Sequence, residues 1–295
     1  MKKQIIAITM LLMVLTITSG NSLAYEVGDT FIYTVNKAEG SFKYSVNGTT
    51  TSGSTSNYRV GNSKIDAGSS FKVEITSKTS SVINYEIFNN DTGISLANTS
   101  SNTFFFGLGL FYYTLYPFIV IGLASGSVDP IEVSKGINIG DQFYIVPTDI
   151  SWDFVEDTFN NITIIESLFA SNNATNESEL TAKTSYEYNS DNDIVSVRID
   201  LSGAYINSSQ NRDIEIKHKI RLDFHKVGRY LMGYQLETDL HGTIDGTDSE
   251  IKMNIEVVKD GYNGFEGSLI PGFTALPVIL AIIPILLVLR RKNSR

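Results

Sequence analysis

The strict alternation of side chains over residues 214–224 constrains the fold of this chain more than any other feature of its sequence. A period of two places successive side chains on opposite faces of a β-strand. One face carries Ile214, Ile216, His218, Ile220, Leu222 and Phe224, and the other carries Glu215, Lys217, Lys219, Arg221 and Asp223. The segment is therefore predicted to be a strand with one buried face and one solvent-facing face.

Similar alternation recurs along the rest of the chain. The further segments are 31–35, 42–46, 71–75, 83–87, 195–201, 230–240 and 251–257, and turn-forming residues lie at 207–209, 226–229 and 245–248. Long one-sided strands in sequence order predict an antiparallel meander, and a sheet this wide must curl or pack against another element. We expect a mainly β fold with a few short helices, built on a curved antiparallel sheet that resembles the half-barrel of lipoprotein carriers.

Three shorter features complete this outline. Residues 150–170 are the best helix candidate, in one piece or two, and the Gly/Ser/Thr-rich residues 47–57 are predicted to form a mobile loop. An apolar-Gly-Asp pattern begins both 27–31 and 139–143. Since Gly and Asp favour a tight turn, each is expected to open a strand, which suggests two halves, 25–124 and 125–268.

Residues 269–289 form an uncharged apolar run of 21 residues that ends in Arg290-Arg291-Lys292. A helix of this length spans about 30 Å, the thickness of the hydrocarbon core of a bilayer. Basic residues beside such a span stay on the cytoplasmic side. We therefore expect Leu269–Leu289 to be a single transmembrane helix that anchors the chain in the cell membrane, followed by a cytoplasmic tail, 290–295.

The other end of the chain has the pattern of a signal peptide, 1–24. It combines Met1-Lys2-Lys3, the apolar residues 5–17 and the small-x-small site Ser22-Leu23-Ala24, with cleavage expected before Tyr25. An uncleaved N-terminal anchor is the alternative. Both readings place residues 25–268 outside the cell as a β-rich domain.

Glycosylation sites and charge agree with an exterior surface. Seven Asn-x-Ser/Thr sites lie between the two apolar ends, at Asn47, Asn90, Asn98, Asn161, Asn173, Asn176 and Asn207. The exterior part carries 17 basic and 32 acidic side chains, a formal net charge of −15. Because phosphates require a basic face, nucleic acid is not expected as a partner. The chain has no cysteine, which excludes thiolate metal sites and cysteine nucleophiles.

A second uncharged run of 21 residues, 104–124, is long enough to cross a membrane. If it did, residues 125–268 would be cytoplasmic and the basic tail would lie outside, against the positive-inside rule. The run is therefore assigned to the exterior domain. Four residues are expected to prevent one continuous helix: Gly107, Gly109, Pro117 and Gly122.

Aromatic side chains dominate this second run. They are Phe104, Phe105, Phe106, Phe111, Tyr112, Tyr113, Tyr116 and Phe118. One interpretation is a buried connector that fills the core, because large aromatic residues dominate cores. The other is a lid or membrane-dipping loop beside an apolar pocket, in which case these eight residues are the candidate ligand-binding residues.

The sequence contains few residues in catalytic arrangements. His218 is expected to be a satisfied core histidine, and no histidine has metal-ligand spacing. Nucleophile-elbow and phosphate-binding motifs are also missing. The carboxylates Asp149, Asp153, Glu156 and Asp157 cluster around Trp152. They are typical of an acidic helix start, with a sugar hydrolase as the remote alternative. We expect no catalytic site, no metal and no cofactor.

Two segments resemble a known group of proteins. The mature start, Tyr25-Glu26-Val27-Gly28-Asp29-Thr30-Phe31-Ile32-Tyr33, resembles the opening of archaeal exported "choice-of-anchor" surface proteins. Ile270-Pro271-Gly272-Phe273, with the apolar run and basic tail behind it, resembles archaeal sorting signals of the Pro-Gly-Phe type. The resemblance implies a cell-surface protein, with a sorting protease or the surface layer as partner. Retention of the helix and its exchange for a lipid both remain open.

Two functions therefore compete. The first is a surface-anchored module that binds a lipid or other hydrophobic ligand under residues 104–118. The second is a structural or adhesive surface glycoprotein with a packed core and no ligand.

Overall fold

The computed structural model describes residues 25–46, 49–125, 140–160, 178–263 and 265. The chain divides into two compact units, Met1–Asp260 and Gly261–Arg295, and of the second unit only 261–263 and 265 are described. The predicted signal peptide, the predicted C-terminal helix with its basic tail, and four of the predicted glycosylation sites lie outside the described residues. Those four sites are Asn47, Asn161, Asn173 and Asn176.

The described part of the first unit is built mainly from β-strands. The strands are β1 (Thr30–Val46), β2 (Thr49–Thr55), β3 (Asn57–Val60), β4 (Ser63–Asp66), β5 (Ser70–Lys78), β6 (Val82–Asn89), β7 (Ser95–Asn102), β8 (Glu179–Asn189), β9 (Ile194–Asn207), β10 (Arg212–His225), β11 (Tyr230–Ile244) and β12 (Thr247–Lys259). The α-helices are α1 (Thr103–Ala124) and α2 (Trp152–Asn160), and short 3-10 turns cover Asp141–Phe143 and Ser208–Gln210. The predicted mainly β class with few helices is confirmed.

Ten of these strands form one antiparallel sheet: nine follow the order β7-β6-β5-β1-β12-β11-β10-β9-β8, and β2 pairs with β1 outside this order. Strand β1 is long enough to pair with β5 along Thr30–Thr34 and with β2 along Gly40–Val46. Strands β8 to β12 run as the predicted meander, and β1 pairs with β12. Strands from both predicted halves of the chain therefore share one sheet, while β3 and β4 form a separate hairpin.

The alternation that predicted β10 matches its burial on one face but not wholly on the other. All six residues of the apolar set are buried, including Phe224 and His218 beside four aliphatic residues. Arg221 and Asp223, expected to face solvent, are buried as well. The Arg221 guanidinium donates to the Asp223 carboxylate through Nε at 2.8 Å and through Nη2 at 2.7 Å. A two-pronged, charge-assisted pair of this kind allows both charges to be buried.

Glycines on the two neighbours of β10 distort the sheet. Gly203 of β9 and Gly242 of β11 have φ of 126° and 152°. A Cβ atom at Gly203 would overlap the Glu179 carbonyl oxygen, and one at Gly242 would overlap the Asp213 carbonyl oxygen. Only glycine fits such a close approach of backbones, and glycines in strands commonly mark bends. Irregular register in β1 and β10 adds to the departure from a flat sheet.

The second apolar run forms one continuous helix, so the expectation that it would be broken is wrong. The Asn102 side chain caps α1 by accepting from the Phe105 backbone N–H at 2.9 Å. Gly109 is required by packing, since a Cβ there would clash with the Phe143 ring. Pro117 lies inside the helix. Helix is retained because a backbone packed among apolar groups must satisfy its hydrogen bonds internally.

Two smaller expectations were also wrong. Residues 49–55, part of the predicted mobile loop, form β2, because threonine suits a strand and β1 offers a pairing edge. Gly28 precedes β1 as expected, but Gly140 precedes a 3-10 turn instead of a strand. Both glycines have positive φ, so the shared pattern encodes the same turn and not the same continuation. The helix predicted over 150–170 is present as α2, and residues 161–170 lie outside the described part.

Candidate functional site

Helix α1 lies against the apolar face of the sheet, over β9 and β10. Its buried residues are Phe106, Leu110, Tyr113, Val120, Leu123 and Ala124. The Phe106 ring lies 5.5 Å from the Phe143 ring and 5.9 Å from the Phe224 ring. Tyr113 meets Phe143 edge-on at 4.9 Å. Aromatic pairs at these separations stabilise packing beyond the area they bury.

The opposite side of α1 is also apolar. Phe104 is 48% exposed, Phe105 53%, and Leu108 and Ile119 are exposed too. No charged residue occurs within the helix. Its mean hydropathy reaches 1.8 over an 18-residue window, which would suffice for a membrane span by length and composition, although buried helices of soluble proteins pass the same criterion. A surface helix normally carries polar residues on its outer side, so α1 departs from that pattern.

The candidate ligand-binding residues are thus divided between two sides of one helix. Phe106 and Tyr113 face the core, Phe104 and Phe105 face outward, and Phe111, Tyr116 and Phe118 are half-buried. The side chain of Tyr112 lies outside the described part. A void of about 10 Å³ between α1 and strands β10 to β12 is no larger than one water molecule.

His218 is the polar side chain of this apolar face that stands out. Its ring stacks on Tyr116 at 5.4 Å, with 10° between the ring planes. Its Nδ1 lies 2.8 Å from Thr238 Oγ1 on the neighbouring strand. Burial lowers the pKa of His218 from 6.5 to about 3, so the imidazole is neutral at neutral pH.

His218 is buried in the core as predicted, but only one of its two ring nitrogens has a hydrogen-bond partner among the described residues. Among the described residues, no group forms a hydrogen bond with His218 Nε2, although this atom is buried. Whichever of Nδ1 and Thr238 Oγ1 donates, Nε2 keeps one hydrogen-bonding capacity unused. An unsatisfied buried polar atom costs about 1–3 kcal/mol, and the sequence offered no signal for it beyond a histidine in an apolar set.

The other end of the apolar face is cross-linked by tyrosine hydroxyls. Tyr25 donates to the Val146 carbonyl at 3.0 Å, Tyr33 donates to the Leu231 carbonyl at 2.8 Å, and Tyr85 donates to the Asp141 carbonyl. The hydroxyls of Tyr58 and Tyr144 lie 2.8 Å apart. We call these five residues the tyrosine end. They fasten residues 141–146 across the sheet, and burial raises the pKa values of Tyr33, Tyr85 and Tyr144 well above the ordinary value.

A cavity of about 830 Å³ lies along β1 and β9 to β12, and its lining includes Leu201, His218, Thr238 and Met253 beside a row of charged residues. Its charged residues are Glu39, Asp200, Lys217, Lys219, Glu237, Asp239 and Lys252. Neighbours in register have opposite charge: Lys219 pairs with Asp200 and Glu237, and Asp239 pairs with Lys217 and Lys252. Opposite charges at facing positions of neighbouring strands balance one another locally and favour this strand pairing.

Among the residues that the structure describes, no group of three or more His, Asp or Glu side chains could hold a metal ion. Asp153, Glu156 and Asp157 occupy the exposed side of α2, while Trp152, Val155 and Phe159 occupy its buried side. The three carboxylates thus form the solvated face of an amphipathic helix.

Three predicted glycosylation sites are described. Asn90 and Asn98 are exposed, in the turn after β6 and on the edge strand β7. The Asn207 side chain is engaged locally, since it accepts from the Gln210 backbone N–H at 3.2 Å and from the Ser209 hydroxyl at 2.7 Å. Asn90 is engaged too, since its Nδ2 donates to Ser70 Oγ at 3.1 Å. Asn90 and Asn98 are nevertheless more exposed than Asn207, which is half-buried.

Comparison with known proteins adds no name to these features. No protein-family model matches the chain, and neither a curated protein nor a solved structure matches it.

Proposed function

We propose that this protein is a membrane-anchored cell-surface module that binds an acyl-chain lipid between α1 and the apolar face of its sheet. The single observation that carries the proposal is that α1 is apolar on both sides. Its inner side covers the sheet, and its outer side is exposed with Phe104, Phe105 and Leu108. A helix with only a core-filling role gains nothing from an apolar outer side.

The structure then represents the closed state, with Phe106 and Leu110 in the place that a ligand would take. Ligand entry exchanges contacts of these side chains for contacts of the acyl chain. Each buried methylene contributes about 0.8 kcal/mol, so a chain of ordinary length offsets the loss of several helix contacts. Since both sides of α1 are apolar, the helix can keep an apolar neighbour when it moves outward.

The distortions of the sheet support a curved, half-barrel shape like that of lipoprotein carriers. Gly203 and Gly242 flank β10 directly under α1, and their backbones approach neighbouring strands as closely as glycine permits. Curvature of this kind deepens an apolar face into a trough. This part of the proposal rests on architectural analogy.

The anchor and the location belong to the same proposal. A cleaved signal peptide, a retained or exchanged C-terminal helix and glycans at exposed sites such as Asn90 and Asn98 would place the module outside an archaeal cell. A sorting protease or the surface layer would be its protein partner. The proposal includes no catalytic step.

A structural or adhesive surface glycoprotein is the second candidate. The observation that favours it is the nearly complete burial of Phe106, Leu110 and Val120 on the inner side of α1. In that case α1 stays in place, and the exposed apolar side of α1 is a contact surface for another protein.

The two candidates differ in where a lipid contacts the chain. Full-length protein in an amphipathic polymer is incubated with a fatty acid that carries a photoreactive diazirine, irradiated, and mapped by peptide mass spectrometry. Lipid binding under α1 predicts label on inner residues of β9 and β10, such as Leu201 and Ile220, and competition by unlabelled fatty acid. Label confined to residues 269–289 and to Phe104 or Phe105 would contradict the proposal.

A further inference from the structure

We propose that His218 is the polar anchor of the lipid site: its Nε2 atom forms a hydrogen bond with an uncharged oxygen of the ligand, an ester carbonyl or a hydroxyl. This inference rests on the proposed function and adds the ligand's polar group and its binding residue.

The first step is the orientation of the imidazole. Hydrogen bonding to Thr238 fixes the Nδ1 edge toward β11. Nε2 lies on the far side of the ring from Cβ, so it points away from the strand backbone and into the layer that α1 occupies. Stacking of Tyr116 on the ring holds this orientation without using Nε2.

The second step is the missing partner. Among the described residues, Nε2 of this buried ring is without a hydrogen bond. Buried polar atoms are almost always paired, and an exception calls for a reason. The neighbouring positions on the same face, Leu201 and Met253, supply no hydrogen-bonding group of useful strength. A ligand oxygen is a partner that the closed state lacks and an occupied state would provide.

The third step is the chemistry of that oxygen. The imidazole is neutral in its buried position, so it gains little from a charged partner and cannot compensate a buried carboxylate. A carbonyl accepts from Nε2–H, and a hydroxyl suits either tautomer, because it both donates and accepts. The geometry therefore favours an ester or alcohol lipid over an ionised fatty acid at this position.

The test uses two probes, undecane and 2-undecanone, which differ only in that a carbonyl group of the ketone replaces one methylene group of the alkane. Each competes with the photoreactive fatty acid on full-length protein, and the measured quantity is the concentration that halves the label on the β10 peptide. The potency of the ketone relative to that of undecane is determined first for the wild-type protein. His218→Leu, which replaces the imidazole by an apolar side chain of similar size, should lower the potency of the ketone relative to that of undecane by about 3- to 10-fold, the strength of one hydrogen bond.

Two outcomes overturn the inference while the proposed function stands. One is an equal potency ratio in wild type and His218→Leu, and the other is a variant that loses undecane competition to the same extent as ketone competition. Absence of any label on β10 overturns the proposed function and this inference together.

A spectroscopic measurement decides the matter even if His218→Leu does not fold. In wild-type protein with 15N-labelled histidine, 2-undecanone should shift the Nε2 resonance of His218, and undecane should leave it in place. His225 and His241 serve as internal controls, because both lie among exposed or half-exposed polar groups. A His218 resonance that responds equally to both probes, or to neither, contradicts the assignment.

Discussion

The two ends of the apolar face are held in different ways. At the tyrosine end, hydroxyls bind backbone carbonyls that are far away in the sequence, and residues 141–146 are fastened to the sheet. Under α1, the contacts described above are ring stacking and aliphatic packing, and His218 Nε2 has no described partner. Hydrogen bonds have directions and fix one arrangement, whereas apolar packing accepts a substitute of similar shape. The tyrosine end is therefore held by directional bonds and α1 mainly by packing, so the proposed lipid site lies where a substitute of similar shape can be accepted.

The largest expected effect tests how strongly packing alone holds α1. Phe106→Ala should lower the free energy of unfolding by about 3–5 kcal/mol, because it removes a fully buried ring. Phe104→Ala is the matched control, two positions away on the exposed side, and should change the free energy by less than about 0.5 kcal/mol. Urea denaturation measures both. Equal effects of the two substitutions would contradict the two-sided placement of α1.

The second effect comes from the buried imidazole. The pKa of His218 in the folded state, about 3, lies below its ordinary value of 6.5, so the unfolded chain binds a proton between these values that the folded chain does not. The titration of His218 therefore does not change the free energy of unfolding above pH 6.5, and it lowers that free energy as the pH falls from 6.5 toward 3. The loss attributable to His218 should reach roughly 4 kcal/mol near pH 3.5.

Denaturant midpoints for wild type and His218→Leu, measured from pH 7 to pH 3.5, isolate this contribution from that of the carboxyl groups. The difference between the two proteins should grow in favour of the variant as the pH falls. Parallel pH profiles would show that His218 is solvated or paired in the folded state.

A smaller effect is expected where the tyrosine-end segment meets the helix. Gly109→Ala should destabilise the protein by about 1–2 kcal/mol, because the clash with the Phe143 ring outweighs the gain in helix propensity. Phe143→Leu in the same chain should recover part of the loss by making room. Thermal unfolding measures both, and stabilisation by Gly109→Ala alone would mean that the ring is not held against α1.

The smallest effect concerns a single hydroxyl at the tyrosine end. Tyr33→Phe keeps the ring and removes its bond to the Leu231 carbonyl, which should cost about 1 kcal/mol. The Leu231 N–H donates to the Tyr144 carbonyl, and the Val146 N–H donates to the Arg229 carbonyl. Amide hydrogen exchange should become faster at both of these N–H groups. Exchange in α1 should not change. A faster rate along α1 instead would show that the two ends are coupled and not independent.

Much of the sheet could be predicted because strand identity depends on local pattern. The alternation at 214–224 and 230–240 located β10 and β11, and the turn residues located the hairpin between them. At the start of β11 the predicted face is wrong, because a register shift buries Leu231 and leaves Tyr230 and Met232 half-buried. Prediction failed where a residue's environment is supplied by distant chain. From the sequence alone, Gly109 is expected to break a helix, whereas in the structure its missing side chain leaves room for the Phe143 ring. From the sequence alone, residues 49–55 are expected to form a loop, whereas in the structure they form a strand because β1 offers an edge for pairing.

The candidate site was predicted in part. The apolar run 104–124 was identified as the feature to examine, but its eight aromatic residues were treated as one set, and the helix separates them into an inner and an outer group. His218 was placed correctly on the apolar face, yet its unpaired nitrogen depends on Thr238 and Tyr116, which come from another strand and from α1.

The sequence by itself determined the mainly β class, the one-sided strands and the presence of an uncharged aromatic run, because each follows from the spacing of side chains along a single segment. Tertiary structure alone decided that this run is a continuous helix, that Arg221 and Asp223 are buried as a pair, and that His218 Nε2 is buried without a hydrogen-bond partner among the described residues. These depend on which groups meet across the sheet, and the free energy of a buried polar group is set by that neighbour and not by its position in the chain.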